Sequence, residues 1–361
     1  MSLSWLMKPI SLASAVALST LAILSRKHQK ARFYWHLLLY ISTMGFISAW
    51  GVVISLLAAM AGQRLSIQHY VGRSFYYLAS PLIGLRFEVE GEEHFDALMT
   101  ARDGKHQSAV LLGNHQSFLD ILYLGRIFPR RASIMAKREL KYTPFLGQFM
   151  LLSGTVFVNR QNKIDAVKAL DIAGQDMKRK GVSLWVFPEG TRSSSVESTL
   201  LPFKKGAFHL AIQAQIPVVP VVCENYYQLF DGKTRFESGV LKIKILPPIP
   251  TTGLTSDDVT SLTESTRELM IKTLCEISAP PAPVSAALSQ PSVPTDVIKP
   301  TTAAVHSNIP GSGLHQRECC RDVSTEVSDR KSVANSRASG GETTEDEMDE
   351  DAVLLKIPKD V

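Results

Sequence analysis

The longest uncharged stretch of the chain is the feature that most restricts its fold. Residues 33–63 run for 31 positions without Asp, Glu, Lys or Arg, and most of them are apolar. As an α-helix this run would be about 46 Å long, whereas the hydrocarbon core of a bilayer is about 30 Å thick. The run is therefore long enough to span a membrane. The alternative is a soluble domain that buries the same residues in core helices.

A shorter uncharged run covers residues 9–25, and a basic stretch, residues 26–32, separates the two runs. As a helix the first run would be about 25 Å long, which is short for a full crossing. It also lacks the small-residue cleavage site of a removed signal peptide. We therefore predict an N-terminal two-helix membrane anchor within residues 1–74. A shallow hairpin would keep both ends in the cytosol, whereas two crossings would place the rest of the chain outside it.

Charge is unevenly distributed along the chain. Residues 281–361 carry 8 Lys and Arg against 13 Asp and Glu, which leaves 31 against 21 in residues 1–280. The basic body fits anionic partners such as lipid headgroups, phosphates or CoA. Nucleic acid is not a predicted partner, because no basic helix or zinc spacing supports it. The Ser-, Pro- and Thr-rich composition of residues 281–361, with its acidic end, predicts a disordered tail.

Residues 75–280 alternate short apolar runs with longer amphipathic ones. This alternation predicts one domain of the α/β class, with a mixed, largely parallel sheet flanked by helices. Helices are predicted at residues 118–128 and 164–180. Strands are predicted at residues 107–112, 133–135, 155–158, 182–187, 218–222 and 241–246. The four cysteines and nine histidines show no metal-ligand spacing, so no metal site is predicted.

A histidine follows the first of these strands, and an acid comes five residues later: His115 and Asp120. On one straight helix they would lie about 140° apart and could not meet. If the helix begins at Ser117, His115 can fold back over the first turn and meet Asp120, which gives a general base held in one tautomer. Ser117 and Asp120 also form a capping-box pattern, which explains both without catalysis. These residues alone leave both interpretations open.

A second motif, Phe-Pro-Glu-Gly-Thr-Arg at residues 187–192, follows the strand predicted at 182–187. Gly190 would let backbone N–H groups approach an anion, and Arg192 would supply a bidentate phosphate contact. The alternative is a surface turn with a solvated charge.

Taken in order, four blocks resemble the glycerolipid acyltransferase family, most closely its eukaryotic 1-acylglycerol-3-phosphate acyltransferases. The blocks are residues 114–120 with the His-x4-Asp pattern, 154–160, 187–192 and 216–220. The resemblance extends over about residues 75–280, and four blocks in the right order are more specific than any one of them.

The resemblance implies transfer of a fatty acyl group from acyl-CoA to the sn-2 hydroxyl of 1-acylglycerol-3-phosphate, which forms phosphatidic acid. His115 would be the general base and Asp120 would orient it. Acyl-CoA would be a co-substrate and no cofactor is implied. The expected partners are these two substrates and membrane lipids, and the expected location is the endoplasmic reticulum membrane, with the lipid droplet as an alternative.

For the acceptor phosphate, the resemblance implies Arg160 and Arg192 as ligands. Glu189 would position the loop or the acceptor. The remaining predicted substrate-binding residues are Gly190, Thr191, Lys137, Lys204 and Lys205, and the three lysines have ordinary solvated charge as their alternative. Competing functions are acyl transfer to another glycerolipid, such as glycerol-3-phosphate or a lysophospholipid, and a catalytically silent lipid-binding scaffold.

Overall fold

The structure is a computed structural model that describes residues 4–99, 107–159 and 163–278. The predicted tail at 281–361 and the predicted phosphate ligand Arg160 lie outside the described residues.

Within this part of the chain the sheet has seven strands in the order β1-β7-β6-β2-β5-β3-β4. Strands β6, β2, β5, β3 and β4 run parallel to one another, β7 is antiparallel to β6, and β1 is parallel to β7. The predicted mixed, largely parallel sheet is confirmed. The strands are β1 Leu85–Glu90, β2 Val110–Gly113, β3 Ala132–Lys137, β4 Val156–Val158, β5 Ser183–Val186, β6 Val218–Cys223 and β7 Gly239–Ile245.

Helices cover both faces of the sheet. Successive residues of a strand point to opposite faces, and in β2 Leu111 joins one core cluster while Leu112 joins the other. The helices are α1 Ser4–Ser25, α2 Gln29–Met60, α3 Ile67–Ile83, α4 Glu93–Met99, α5 Asp120–Ile127, α6 Leu146–Leu152, α7 Lys163–Lys180, α8 Gly206–Ala214 and α9 Val259–Ser278. Helices α2, α3 and α5 contribute to the first cluster, and α7, α8 and α9 to the second.

Several elements differ from the sequence-based prediction, which did not include helices such as α6 and α8. Strand β1 was not predicted, because half of its six residues are charged and only alternate positions such as Leu85 and Phe87 are buried. Helix α5 begins at Asp120 and not at Phe118, the start predicted for it, since the residues before Asp120 form a turn. The turn forms there because the Asp120 carboxylate accepts the backbone N–H groups of Gln116 and Ser117.

Helix α2 packs along the sheet domain with one face. Its Arg32 pairs with Glu237, and the Tyr40 hydroxyl donates to the carbonyl of Phe118 at 2.8 Å. The face toward the domain is a helical stripe of buried residues: Phe33, His36, Tyr40, Thr43, Ile47, Ser48, Gly51, Ser55 and Ala58. Among the described residues α2 is the one helix long and apolar enough to cross a membrane. Because core helices can meet the same criterion, membrane insertion and the anchor boundary at residue 74 stay predictions.

Candidate active site

Three adjacent strands end at one edge of the sheet and supply the site. Strands β6, β2 and β5 are parallel neighbours, so the segments after Cys223, Gly113 and Val186 leave the sheet on the same side. Ligands of open α/β sheets bind at this carboxyl edge. Gly113 allows close packing there, since an added Cβ would lie 2.4 Å from the buried ring of Trp185.

His115 and Asp120 are in contact at this edge. Imidazole Nδ1 lies 2.7 Å from Asp120 Oδ2, and the exposed fractions of the two side chains are 14% and 1%. The ring of Phe187 stacks on the imidazole with 4.1 Å between centroids. Among the described residues, imidazole Nε2 has no hydrogen-bond partner. The ring is thus fixed at one nitrogen and by one face, with its second nitrogen available.

The buried carboxylate of Asp120 serves two local purposes. Oδ2 accepts the N–H groups of Gln116 at 2.7 Å and Ser117 at 3.2 Å as well as the imidazole. Ser117 Oγ accepts the N–H of Leu119 and not that of Asp120, so the expected capping box is only half formed. Asp120 therefore holds the turn before α5 and orients His115 at the same time.

Glu189 ties three segments together. Its carboxylate is 3% exposed, and it accepts the N–H of His115 at 2.7 Å through Oε1 and the N–H of Leu201 at 3.0 Å through Oε2. Burial raises the pKa of Glu189, while the two N–H groups and the charge of His115 act in the opposite direction. The Glu189 carboxylate therefore links the loop after β5 to the backbone at His115 and at Leu201.

The two serines that follow the second motif lie along residues 114–117, the histidine segment. The N–H groups of Ser193 and Ser194 donate to the carbonyls of His115 and Gln116 at 2.8 and 3.2 Å. Gly190 has a φ of +70°, a conformation that favours glycine. Thr191 and Arg192 are exposed.

The three predicted lysines lie on two different parts of the domain. The backbone N–H of Lys204 donates to the carbonyl of Pro188 at 2.7 Å, so the segment with Lys204 and Lys205 borders the second motif. Lys137 ends β3, two strands from β2 or about 10 Å away, and its ammonium lies 3.3 Å from Glu139. Lys137 therefore lies at the carboxyl end of a strand that is not adjacent to the strand before His115.

Sequence reasoning missed the groups that join the histidine segment to the end of β6. Asn114 exchanges two hydrogen bonds with the backbone of Cys223, at 2.9 and 2.8 Å. Gln116 donates to the carbonyl of Glu224 at 2.9 Å and accepts the N–H of Tyr226 at 3.3 Å. The sequence could have indicated Asn114 and Gln116, because they are the polar residues on either side of His115. Nothing local in the sequence marks Tyr226.

An apolar groove with a volume of about 160 Å³ lies along helix α5, although neither residue of the His115–Asp120 dyad lines it. Ile121 and Leu124, one and four residues after Asp120, contribute to it. A polar exception is the buried amide of Gln68, whose Oε1 has no partner among the described residues. The other lining residues are Met44, Ile47, Ser48, Val71, Gly72, Phe75, Gly125, Phe128, Ile134, Leu140, Leu146, Phe149, Met150 and Thr155. This lining suits a hydrocarbon chain.

Comparison with known proteins places this site in a family. A family model described as Acyltransferase matches residues 86–224. The chain is 41% identical over 251 residues to the 1-acyl-sn-glycerol-3-phosphate acyltransferase of Saccharomyces cerevisiae, which covers 69% of this chain and 80% of that protein. This chain belongs to the acyltransferase family. The predicted resemblance, and the prediction of an acyltransferase enzyme, are confirmed.

Two further relatives support the assignment of this chain to the acyltransferase family. The human 1-acyl-sn-glycerol-3-phosphate acyltransferase beta is 37% identical over 270 residues, covering 74% of this chain and 92% of that protein. The crystal structure of PlsC, the 1-acyl-sn-glycerophosphate acyltransferase of Thermotoga maritima, superposes with a TM-score of 0.57 at 26% identity. It covers 70% of this acyltransferase and 98% of PlsC. The α/β fold of the acyltransferase is therefore that of PlsC.

Proposed function

We propose that this acyltransferase moves a fatty acyl group from acyl-CoA to the sn-2 hydroxyl of 1-acylglycerol-3-phosphate, which forms phosphatidic acid. The observation that carries the proposal is the 2.7 Å contact between His115 Nδ1 and Asp120 Oδ2 at the carboxyl edge of the sheet. The acceptor is taken from the names of the yeast and human relatives.

The chemistry follows from the free imidazole nitrogen. His115 Nε2 takes the proton of the acceptor hydroxyl as the oxygen attacks the thioester carbonyl. The C–O bond forms, the C–S bond breaks, and the imidazolium returns its proton to the sulfur of CoA. Asp120 stabilises the imidazolium between these steps, and no acyl-enzyme intermediate is needed.

The apolar groove offers one acyl chain a binding site along the helix that begins at Asp120. Ile121 and Leu124 lie on the first turns of α5, the helix that begins at Asp120. A hydrocarbon chain bound there would contact the helix whose first residue is Asp120.

An assay with purified full-length protein tests the proposal. Radiolabelled acyl-CoA is offered with 1-acylglycerol-3-phosphate, glycerol-3-phosphate or lysophosphatidylcholine. We expect labelled phosphatidic acid and little transfer to the other two acceptors. Preferred transfer to another acceptor would establish the related acyltransferase activity instead, and no transfer to any acceptor would support the lipid-binding scaffold.

Arg192, together with Arg160, is proposed to bind the acceptor phosphate. The Arg192→Ala enzyme is expected to raise the acceptor KM about 10- to 100-fold, because a charge-assisted hydrogen bond contributes roughly 1.5–3 kcal/mol. The KM for acyl-CoA should change little. Arg179→Ala, which removes an exposed arginine from α7, is the control. Equal increases in both KM values would point to a role in folding the loop.

The exposed face of α2 is proposed to contact lipid, and the endoplasmic reticulum location implied by the resemblance remains a prediction. Opposite its buried stripe, α2 exposes large apolar side chains, and leaving such a face in water is unfavourable. These side chains are Tyr34, Leu38, Ile41, Phe46, Trp50, Val53, Leu56, Leu57 and Met60. A helix bound on one face to the sheet domain and on the other to lipid would hold the dyad next to the membrane.

Replacing two of these side chains tests the lipid contact. Phe46→Lys combined with Trp50→Lys is expected to release most of the protein from pelleted membranes in high salt, because each lysine costs about 2.5–3.5 kcal/mol in a bilayer centre. Ile172→Lys is the control, since Ile172 is an exposed apolar residue of α7. Retention of the double variant on membranes after the wash would exclude this face as the anchor.

A further inference from the structure

The two oxygens of the Asp120 carboxylate have unequal support. Oδ2 accepts three N–H groups: that of the His115 imidazole and those of the backbone at Gln116 and Ser117. Oδ1 accepts one hydrogen bond from the described residues, donated by the hydroxyl of Tyr226 at 2.6 Å. Tyr226 is 4% exposed, so water has little access to replace it.

The direction of this hydrogen bond is fixed by its surroundings. Ser117 Oγ lies 2.9 Å from the Tyr226 oxygen and itself accepts the N–H of Leu119 at 3.0 Å. A carboxylate only accepts, so the Tyr226 proton points to Asp120 and the Ser117 proton is left to point to Tyr226. Burial, and then the charge of Asp120, raise the pKa of Tyr226 well above its usual value, so the hydroxyl keeps its proton.

The tyrosine is held in place from the histidine segment itself. Gln116 accepts the backbone N–H of Tyr226 and donates to the carbonyls of Cys223 at 3.2 Å and Glu224 at 2.9 Å, three and two residues before the tyrosine. Asn114 adds two hydrogen bonds to Cys223. The amides on either side of His115 thus fix the position from which Tyr226 reaches the carboxylate.

We propose that Tyr226 is a positioning residue for the acyl transfer reaction: its hydroxyl holds Oδ1 so that Oδ2 stays directed at His115 Nδ1. The proposal rests on the catalytic dyad of the proposed function. A buried carboxylate oxygen without its donor would turn toward another hydrogen-bond donor. The N–H groups of Gln116 and Ser117 are already next to this carboxylate, so such a turn would weaken its bond to the imidazole.

The Tyr226→Phe enzyme tests this role, because phenylalanine keeps the buried ring and removes only the hydroxyl. We expect kcat to fall about 10- to 100-fold, the range of a hydrogen bond to a charged group. The KM values for both substrates should stay within about twofold, since in this proposal the hydroxyl acts through Asp120. Tyr227→Phe, which removes the hydroxyl of the neighbouring partly exposed tyrosine, should have wild-type kcat.

A double-mutant cycle separates positioning from packing. In an Asp120→Asn background, Tyr226→Phe should lower kcat by less than about twofold further, because the carboxylate through which it acts is gone. Wild-type kcat for Tyr226→Phe would overturn the proposal. An equal loss in both backgrounds would also overturn it, since it would mean a packing effect. An inactive wild-type enzyme would instead overturn the proposed function, and a fully active His115→Ala enzyme would overturn the dyad on which this proposal rests.

Discussion

Asp120→Asn is expected to lower kcat by roughly 10²–10⁴ while the protein stays folded. The substitution keeps the shape of the side chain but removes the charge that stabilises the His115 imidazolium. It also replaces one carboxylate oxygen by an amide N–H₂ in a place where all four described hydrogen-bond partners donate: the imidazole, two backbone N–H groups and the Tyr226 hydroxyl. Both changes act on the imidazole.

The two interpretations of Asp120, as part of a catalytic dyad and as a helix cap only, predict different results for the same variants. If His115 and Asp120 act as one unit, His115→Ala should lose a similar factor, and the double variant should be little worse than either single one. If Asp120 only caps the turn before α5, the loss should be about 1 kcal/mol of stability with activity preserved. Steady-state kinetics and thermal unfolding on the same preparations distinguish the two.

The short helical turn before α9, Ser256–Asp258, supplies a matched control. There Thr255 and Asp258 form a complete capping box, in which Asp258 accepts the N–H of Thr255 at 2.8 Å. Asp258→Asn removes the same charge from the same kind of cap, but far along the chain from the dyad. It should lower the melting temperature slightly and leave kcat unchanged. An Asp120→Asn enzyme that behaves like Asp258→Asn would remove the dyad from this mechanism and leave His115 acting alone.

The local part of the site was predictable and the long-range part was not. His115 follows an apolar run and Asp120 comes five residues later, so the pair could be proposed from one short segment. Tyr226 lies 106 residues beyond Asp120 in the chain. It reaches the carboxylate because β6 pairs with β2, with Gly113 opposite Val221. That register depends on the whole sheet, and no local pattern near Tyr226 encodes it.

Strand β1 and helix α2 illustrate the same limit. Five of the six predicted strands have no charged residue and the sixth has two, Lys242 and Lys244, whereas three of the six residues of β1 are charged. Strand β1 lies at the end of the sheet beside β7. By composition alone, both faces of α2 are predicted to be equally suited to contact lipid. Only the packing of the domain decides that Tyr40 and Ile47 are buried in the protein while Ile41 and Phe46 are exposed.

Deleting residues 1–62 is expected to prevent stable folding, although the sequence predicts residues 1–74 as a separable anchor. The deletion removes Phe33, Tyr40 and Ile47 from the core cluster that includes Trp185. Burying three such side chains contributes about 5–9 kcal/mol together, and whole domains are stable by only about 5–15 kcal/mol. The rings against which they pack would become exposed to solvent.

The contacts of α2 show which partners would be lost. Phe33 stacks on Phe230 with 6.3 Å between ring centroids, and His36 Nδ1 lies 2.7 Å from the carbonyl of Phe236. Tyr40 donates to the carbonyl of Phe118, in the turn between His115 and Asp120. Any protein that did fold without α2 would therefore lose a support of the turn that carries the dyad, and its kcat should fall too.

A shorter deletion provides the comparison that makes this expectation testable. Removing residues 1–27 deletes α1 but leaves α2 from Gln29 onward, so the buried stripe and the Tyr40 contact are kept. In detergent this variant should elute as a defined species, unfold cooperatively and keep most of its acyl transfer, whereas the 1–62 deletion should aggregate. If the longer deletion instead gives a soluble enzyme with near wild-type kcat, α2 is not part of the catalytic core. Its buried stripe would then be a docking contact of a separable membrane anchor.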